Sequence, residues 1–346
     1  MESPDMKTLR SLASPIALAA ASALLAGSAA LAGPLVRSAG PPPQPVAHYA
    51  VSPAVFAAMA RRGLIYVADY SNNEVHIYPL HGKNQQEVGH ISGLTVLEYL
   101  NVDRFHNLYA VEFVAGKVVV FPHGATQPSR TLSVEPSGSF PNAVAISHEG
   151  EVAVGQFQTN GINFYHRGAT MPFKIVAPPA SFGSAGFCAY DAHGNLYVIG
   201  SAASHASHIG EIVGGGKGNT ITDLGVNTGI TNAKGIQVDK DGNVAVLGDS
   251  GTLNVYAPAS NTLLSTAQLN DPPNGGPNPN GGFSMLKSGD DLYVASGVLN
   301  QQNEGLALEY AYPAGGNILN TIAVAIPQGG SQTSVTGVAV DPPEHP

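Results

Sequence analysis

The sequence predicts an all-β chain: a six-bladed β-propeller of four-stranded antiparallel blades, its ring closed by a C-terminal strand joining the N-terminal blade. Three observations carry this expectation. A short apolar phrase occurs six times, as GLIYVADY from Gly63, HNLYAVEF from His106, GEVAVGQF from Gly150, GNLYVIGS from Gly194, GNVAVLGD from Gly242 and DDLYVASG from Asp290. Its equivalent positions Tyr66, Tyr109, Ala153, Tyr197, Ala245 and Tyr293 recur every 43 to 48 residues, the period of a propeller blade. A second column, six residues before the aligned Tyr or Ala of the phrase that follows, holds Asp103, Ser147, Asp191, Asp239, Lys287 and Asp341. The partner position owed to Asp341 would be 347, one past Pro346, and the first phrase, at Gly63, has no comparable strand before it. The economical arrangement has Val338 to Asp341 serve as the inner strand of the blade that begins at Gly63, which leaves no open sheet edge at the seam.

Composition agrees with many short strands and tight turns. The 346 residues include 41 Gly and 26 Pro, with only 11% charged residues and no Trp. The net charge of −9 provides no basic footprint for a nucleic acid. The single cysteine, Cys188, excludes an internal disulfide, so a hydrophobic core must hold the domain together.

From the N-terminus, Lys7 and Arg10 precede an Ala/Leu-rich run from Ile16 to Leu31 that ends in an A-x-A pattern at Ala30–Ala32. Residues 1–32 therefore read as a secretory signal peptide, which places the mature protein outside the cytoplasm, secreted or periplasmic, without a membrane span. The alternative is an apolar segment retained as an anchor. Residues 33–60, with PPPQP at Pro41–Pro45, read as a Pro-rich linker and lead-in, and 61–346 as the propeller. Within a unit, Gly235 to Ser260 shows the plan. Ile236 and Val238 alternate with polar residues, Asp241-Gly242 makes a hairpin turn, Val244 to Leu247 are apolar, and Leu253 and Val255 alternate again. Fourth strands are expected at stretches such as Arg130–Val134 and Phe173–Ala177.

GIQVDKDGNVAVLGDSGTLNVY, GVAVD and GLIYVADYSNNEVHIYPLHG resemble NHL-type propeller repeats, with their G-x-A-x-D strand, G-N turn and I-Y-V-A-D strand. That resemblance implies architecture, because one scaffold hosts many unrelated sites. FPNAVAISHEGEVAVG, from Phe140, is more distantly similar to the P-N-D strand start of senescence-marker/gluconolactonase propellers, whose metal site would take Asn142 as a ligand. The Asp that follows Asn in that family is Ala143 here, and Ala233 and Lys234 stand where its catalytic Asp is expected. Replacing a base by a cation argues against that hydrolysis. Peptide-amidating lyases, also NHL-like, use a His-rich zinc site that has no residue-by-residue match here.

Other motifs read as structure. Asp239–Asn243 resembles a calcium loop, yet Asp191–Asn195 and Asp103–Asn107 hold the same column, so a turn is expected. The Gly-rich run Gly214–Thr220 lacks the spacing of a phosphate loop. Cys188 lies in an alternating strand as a small buried hydrophobe. His205 and His208 form the one His-x-x-His pair, in a loop setting poor in further ligands, while His81, His123, His148 and His193 fall at turns or strand ends.

Propeller topology points instead to the face where loops lead into each inner strand and out of each second strand, since a site there draws one residue from each blade. The first set includes Glu98, Asn142, Asn232, Lys234 and Thr336, and the second Asp69, Glu112, Gln156 and Asp249. Their carboxylates and amides could hold a divalent cation, although no cofactor is firmly implied. The expected function is non-catalytic binding or scaffolding of a small molecule or protein on that face. The alternative is a metal-dependent lactonase, hydrolase or lyase with its site at the centre.

Overall fold

The computed structural model describes residues 44–82, 84–157, 161–201, 206–248, 250–270, 282–285, 290–299, 303–326 and 332–343. The apolar segment read as a signal peptide lies outside them.

Six antiparallel sheets follow one another along the chain. Blade 1 contains β1 (Val46–Tyr49), β2 (Leu64–Asp69), β3 (Glu74–Pro79) and β4 (Gly89–Ser92), completed by β25 (Val335–Asp341). Blade 2 runs from β5 (Leu97–Val102) to β8 (Arg130–Ser133), and blade 3 from β9 (Pro141–Ile146) to β12 (Lys174–Val176). Blade 4 runs from β13 (Phe187–Tyr190) to β16 (Thr222–Thr231) and blade 5 from β17 (Ala233–Val238) to β20 (Leu263–Gln268). Blade 6 runs from β21 (Phe283–Met285) to β24 (Gly315–Ala323). Each inner strand packs against the next in the cyclic order β25, β5, β9, β13, β17, β21 and back to β25. The chain is thus a closed six-bladed propeller.

Closure follows the sequence expectation and extends it. β25 pairs with β2 from Leu64–Asp341 to Asp69–Val335, three residues beyond the anticipated start at Val338. All six residues of β2 are buried, so an unpaired inner edge there would expose both apolar surface and backbone donors. The lead-in adds a fifth strand to blade 1, because β1 pairs with β4 from Val46–Ser92 to Tyr49–Gly89. A helix, α1 (Pro53–Ala60), follows; Ser52 caps it by accepting from the Val55 amide, and it buries Phe56 and Ala60 against blades 1 and 2.

The repeated Asp column explains the hairpins. The Oδ1 atoms of Asp103, Asp191 and Asp239 each accept two amide hydrogen bonds from the following turn, while Oδ2 accepts from Asn107, Asn195 and Asn243 respectively. Ser147 does the same work with one bond, from the Glu151 amide. These are side-chain-pinned turns, as the column implied. The third residue after the column is Gly150, Gly194 or Gly242, each at a positive φ of 83° to 88° that glycine adopts without strain. The corresponding residue of blade 2 is His106, at φ 63°. Cys188 is buried, and burial pushes its thiol up to about 12. The Gly-rich run packs inward: Gly216 N–H donates to Glu151, and Lys174 donates to the Gly218 carbonyl.

Candidate functional site

Four inner strands carry an extra residue at the same place. The pairing skips Glu98 in β5, Asn142 in β9, Lys234 in β17 and Thr336 in β25. A bulge of this kind turns the strand and re-aims the residue it carries. All four stand five residues before the Asp column, and in blades 4 and 6 that position is Gly186 and Gly282. One end of the axis is therefore ringed by a carboxylate, an amide, an ammonium, a hydroxyl and two glycines, one from each blade.

The glycines make room. A Cβ on Gly186 would lie 3.1 Å from Asn142 Nδ2, and one on Gly282 would lie 2.8 Å from the Tyr99 ring. Tyr99, in β5, crosses the axis: its hydroxyl donates to the Phe283 carbonyl at 3.4 Å and accepts from Gln237 Nε2, on opposite blade 5, at 3.2 Å. Tyr99 is 2% exposed, its side chain buried between blades 2, 5 and 6. Nothing in the sequence singled it out, because its neighbours across the axis lie more than a hundred residues away.

Glu98 and Lys234 belong to opposite blades and are half-buried. Surrounding protein pushes the Glu98 carboxyl above its ordinary value, and the Lys234 charge pulls it back. Asn142 is 7% exposed, and Thr336 donates to the Leu97 carbonyl. Asn232 is exposed in the left-handed conformation just before β17, outside the ring.

The residues leaving the second strands sit deeper and are tied to the scaffold. Glu112 is fully buried and pairs with Lys117 at 2.9 Å. Burial raises its carboxyl in spite of Lys117. Asp69 accepts from the Ser71 and Ser334 amides and from Asn72. Burial opposes its ionisation, but these bonds and His76 outweigh it and hold the carboxyl low. Gln156 donates to the Glu135 carbonyl. Asp249 lies outside the described residues. Among the described residues, Asp69, Glu98 and Glu112 do not bring three ligand atoms together.

An aromatic rim flanks the ring on blades 1 to 3. Tyr70, Phe113 and Phe157 follow the second strands, their amides donating to Ser334, Val96 and Phe140 carbonyls in one repeated geometry. Phe113 stacks on Phe140 at 5.1 Å, and Tyr70 and Phe157 remain 45% and 48% exposed. At the opposite end, an acidic cleft of about 360 Å³ lies between blades 5 and 6, where Tyr312 donates to Asp239. Of the anticipated His pair, His205 lies outside the described residues and His208 faces Asp223 at 3.4 Å.

No protein-family model matches this chain, and no curated protein does. Solved structures share its fold at low identity. A protein of unknown function from Bacteroides caccae is 12% identical with a TM-score of 0.57, covering 81% of this chain and 98% of that one. A functionally unknown protein from Desulfotomaculum acetoxidans is 13% identical with a TM-score of 0.50, over 80% and 86% of the two chains. Hydrazine synthase of Kuenenia stuttgartiensis is 17% identical with a TM-score of 0.51, over 70% and 72%. At these identities the likeness shows the propeller alone.

Proposed function

We propose that this chain is an exported, NHL-like propeller that binds a small zwitterionic ligand, such as an amino acid, without chemistry of its own. The observation that carries the reading is the placement of Glu98 and Lys234 on opposite bulges of one half-buried ring. A ring bearing one anion and one cation suits a ligand that bears both, and it disfavours a bare metal ion. The rim of Tyr70, Phe113 and Phe157 offers an apolar wall to a side chain. Export rests on the basic, apolar and A-x-A succession of residues 1–32.

The test is thermal stabilisation of the purified protein by the natural L-amino acids and by Ca²⁺, with Glu98→Gln and Lys234→Met alongside. Stabilisation by one or more amino acids, lost in both variants, supports the reading. Stabilisation by Ca²⁺ alone, lost in Glu98→Gln and strengthened in Lys234→Met, would replace it with the metal-dependent alternative.

A further inference from the structure

Away from the axial ring, at the hairpin end of the seam between blades 1 and 2, three side chains converge. His106 lies in the turn between β5 and β6 (Leu108–Glu112), His123 follows β7 (Lys117–Phe121), and Asp341 ends the closing strand β25. Their ligating atoms lie within 4.8 Å of one another. His106 Nδ1 is 2.5 Å from Asp341 Oδ1, and His123 Nδ1 is 3.2 Å from Asp341 Oδ2. The two imidazoles meet edge to face at 5.5 Å.

Two of the three depart from what their repeat positions ask. Asp103, Asp191 and Asp239 spend their carboxylates on the turn that follows them. Asp341 is followed by Pro342 and Pro343, and its partner β2 comes from the other end of the chain, so its carboxylate has no turn to pin. It is nevertheless fully buried, and Asp341 Oδ2 and His123 Nδ1 face each other without a hydrogen bond between them. Burying such atoms without a hydrogen bond is costly. His106 occupies a left-handed turn position that blades 3, 4 and 5 give to glycine. Histidine enters that conformation more readily than most residues but less freely than glycine, and a ligating role would offset the difference.

We propose that His106, His123 and Asp341 bind a zinc ion that staples the ring seam. Two imidazoles and a carboxylate are a borderline-hard donor set suited to Zn²⁺. Ligand atoms of a tetrahedral zinc site stand about 3.3 Å apart, given bonds of about 2.0 to 2.1 Å. The 3.2 Å separation of His123 Nδ1 from Asp341 Oδ2 is close to that spacing, and one ligand atom from each of the three residues lies within 4.8 Å of the others, so closing on an ion takes side-chain shifts on the order of an ångström. Phe56 of α1 packs against the His123 ring at 5.9 Å, giving the site an apolar flank. The ion would join the last residue of β25 to two hairpins of blade 2, holding the strand on which closure depends.

The experiment uses the full chain stripped with chelator and titrated with Zn²⁺ alone, read by calorimetry and by thermal midpoint. The parent should take up one zinc per chain, with a midpoint rise of roughly 5 °C when free zinc is about a hundredfold above its Kd. His106→Gly installs the residue the other turns use, so it should fold without zinc while its zinc affinity falls at least about tenfold. Asp341→Asn should lose affinity similarly. A parent that takes up no zinc, or uptake that persists at parental affinity in both variants, overturns the proposal.

Discussion

Glu98 and Lys234 face one another from opposite blades of the ring, burial raising the Glu98 carboxyl and Lys234 restraining the rise. A carboxyl held above its ordinary value keeps its proton to higher pH in the folded than in the unfolded chain. Its contribution to stability is full below the unfolded value and is lost as pH rises through the folded one. Glu98→Gln should therefore raise the thermal midpoint at neutral pH, with the gain disappearing towards about pH 4. An equal gain at both pH values would contradict this.

His76 should impose a pH dependence with a different window. It is 3.7 Å from Asp69 and 2.8 Å from Glu87; burial disfavours its charge, but the two carboxylates prevail and raise it to about 9. Stability from this group is full below the unfolded value of about 6.5 and is lost as pH rises towards about 9. The loss should be on the order of 3 kcal/mol. Denaturant titrations of the parent and of His76→Gln across that window check it, and a parent no more pH-dependent than the variant would count against the cluster.

Tyr99, buried across the axis, makes two predictions that differ in kind. Tyr99→Phe keeps the ring but removes the hydroxyl that meets Phe283 and Gln237, and should cost about 1 kcal/mol. Gly282→Ala places a methyl 2.8 Å from the Tyr99 ring and should cost about 1–3 kcal/mol. Equilibrium unfolding measures both, and a neutral Gly282→Ala would mean that the ring is not packed there.

The pinned turns predict a graded series. Asp191→Ala loses two amide bonds and one from Asn195, for a cost of about 1–3 kcal/mol. Asp191→Asn keeps a carbonyl oxygen for the amides and should recover part of it. Equal losses in the two variants would show that the side-chain oxygen is not what holds the turn.

Removing Val335–Pro346 should abolish cooperative unfolding at the parental midpoint, because β2 would lose its inner partner along its whole length. Retention of that midpoint would contradict closure by β25.

Much of this architecture was legible because it is periodic. The Asp column, the six phrases and the absent first strand at Gly63 all register in one dimension, and they correspond to turns, second strands and β25. The strand-start column of Glu98, Asn142, Lys234 and Thr336 was legible for the same reason, although the bulges that re-aim them were not. What escaped notice depends on contacts across the ring. Tyr99 reaches β17 and β21, His106 and His123 meet Asp341 only after closure, and β1 was masked by its Pro-rich approach. Glu112 looked like a free ligand because its neutralising partner, Lys117, is visible only once the hairpin is paired.

The relationship between Glu98 and Lys234 is the most direct point of test for the site. Carboxyl carbon NMR of the Glu98 side chain, followed through a pH titration, should show a value above the ordinary glutamate range in the parent and a still higher one in Lys234→Met. An ordinary Glu98 that does not respond to the loss of Lys234 would mean that the two residues share no desolvated ring, and the binding site proposed at the axis would fall with it.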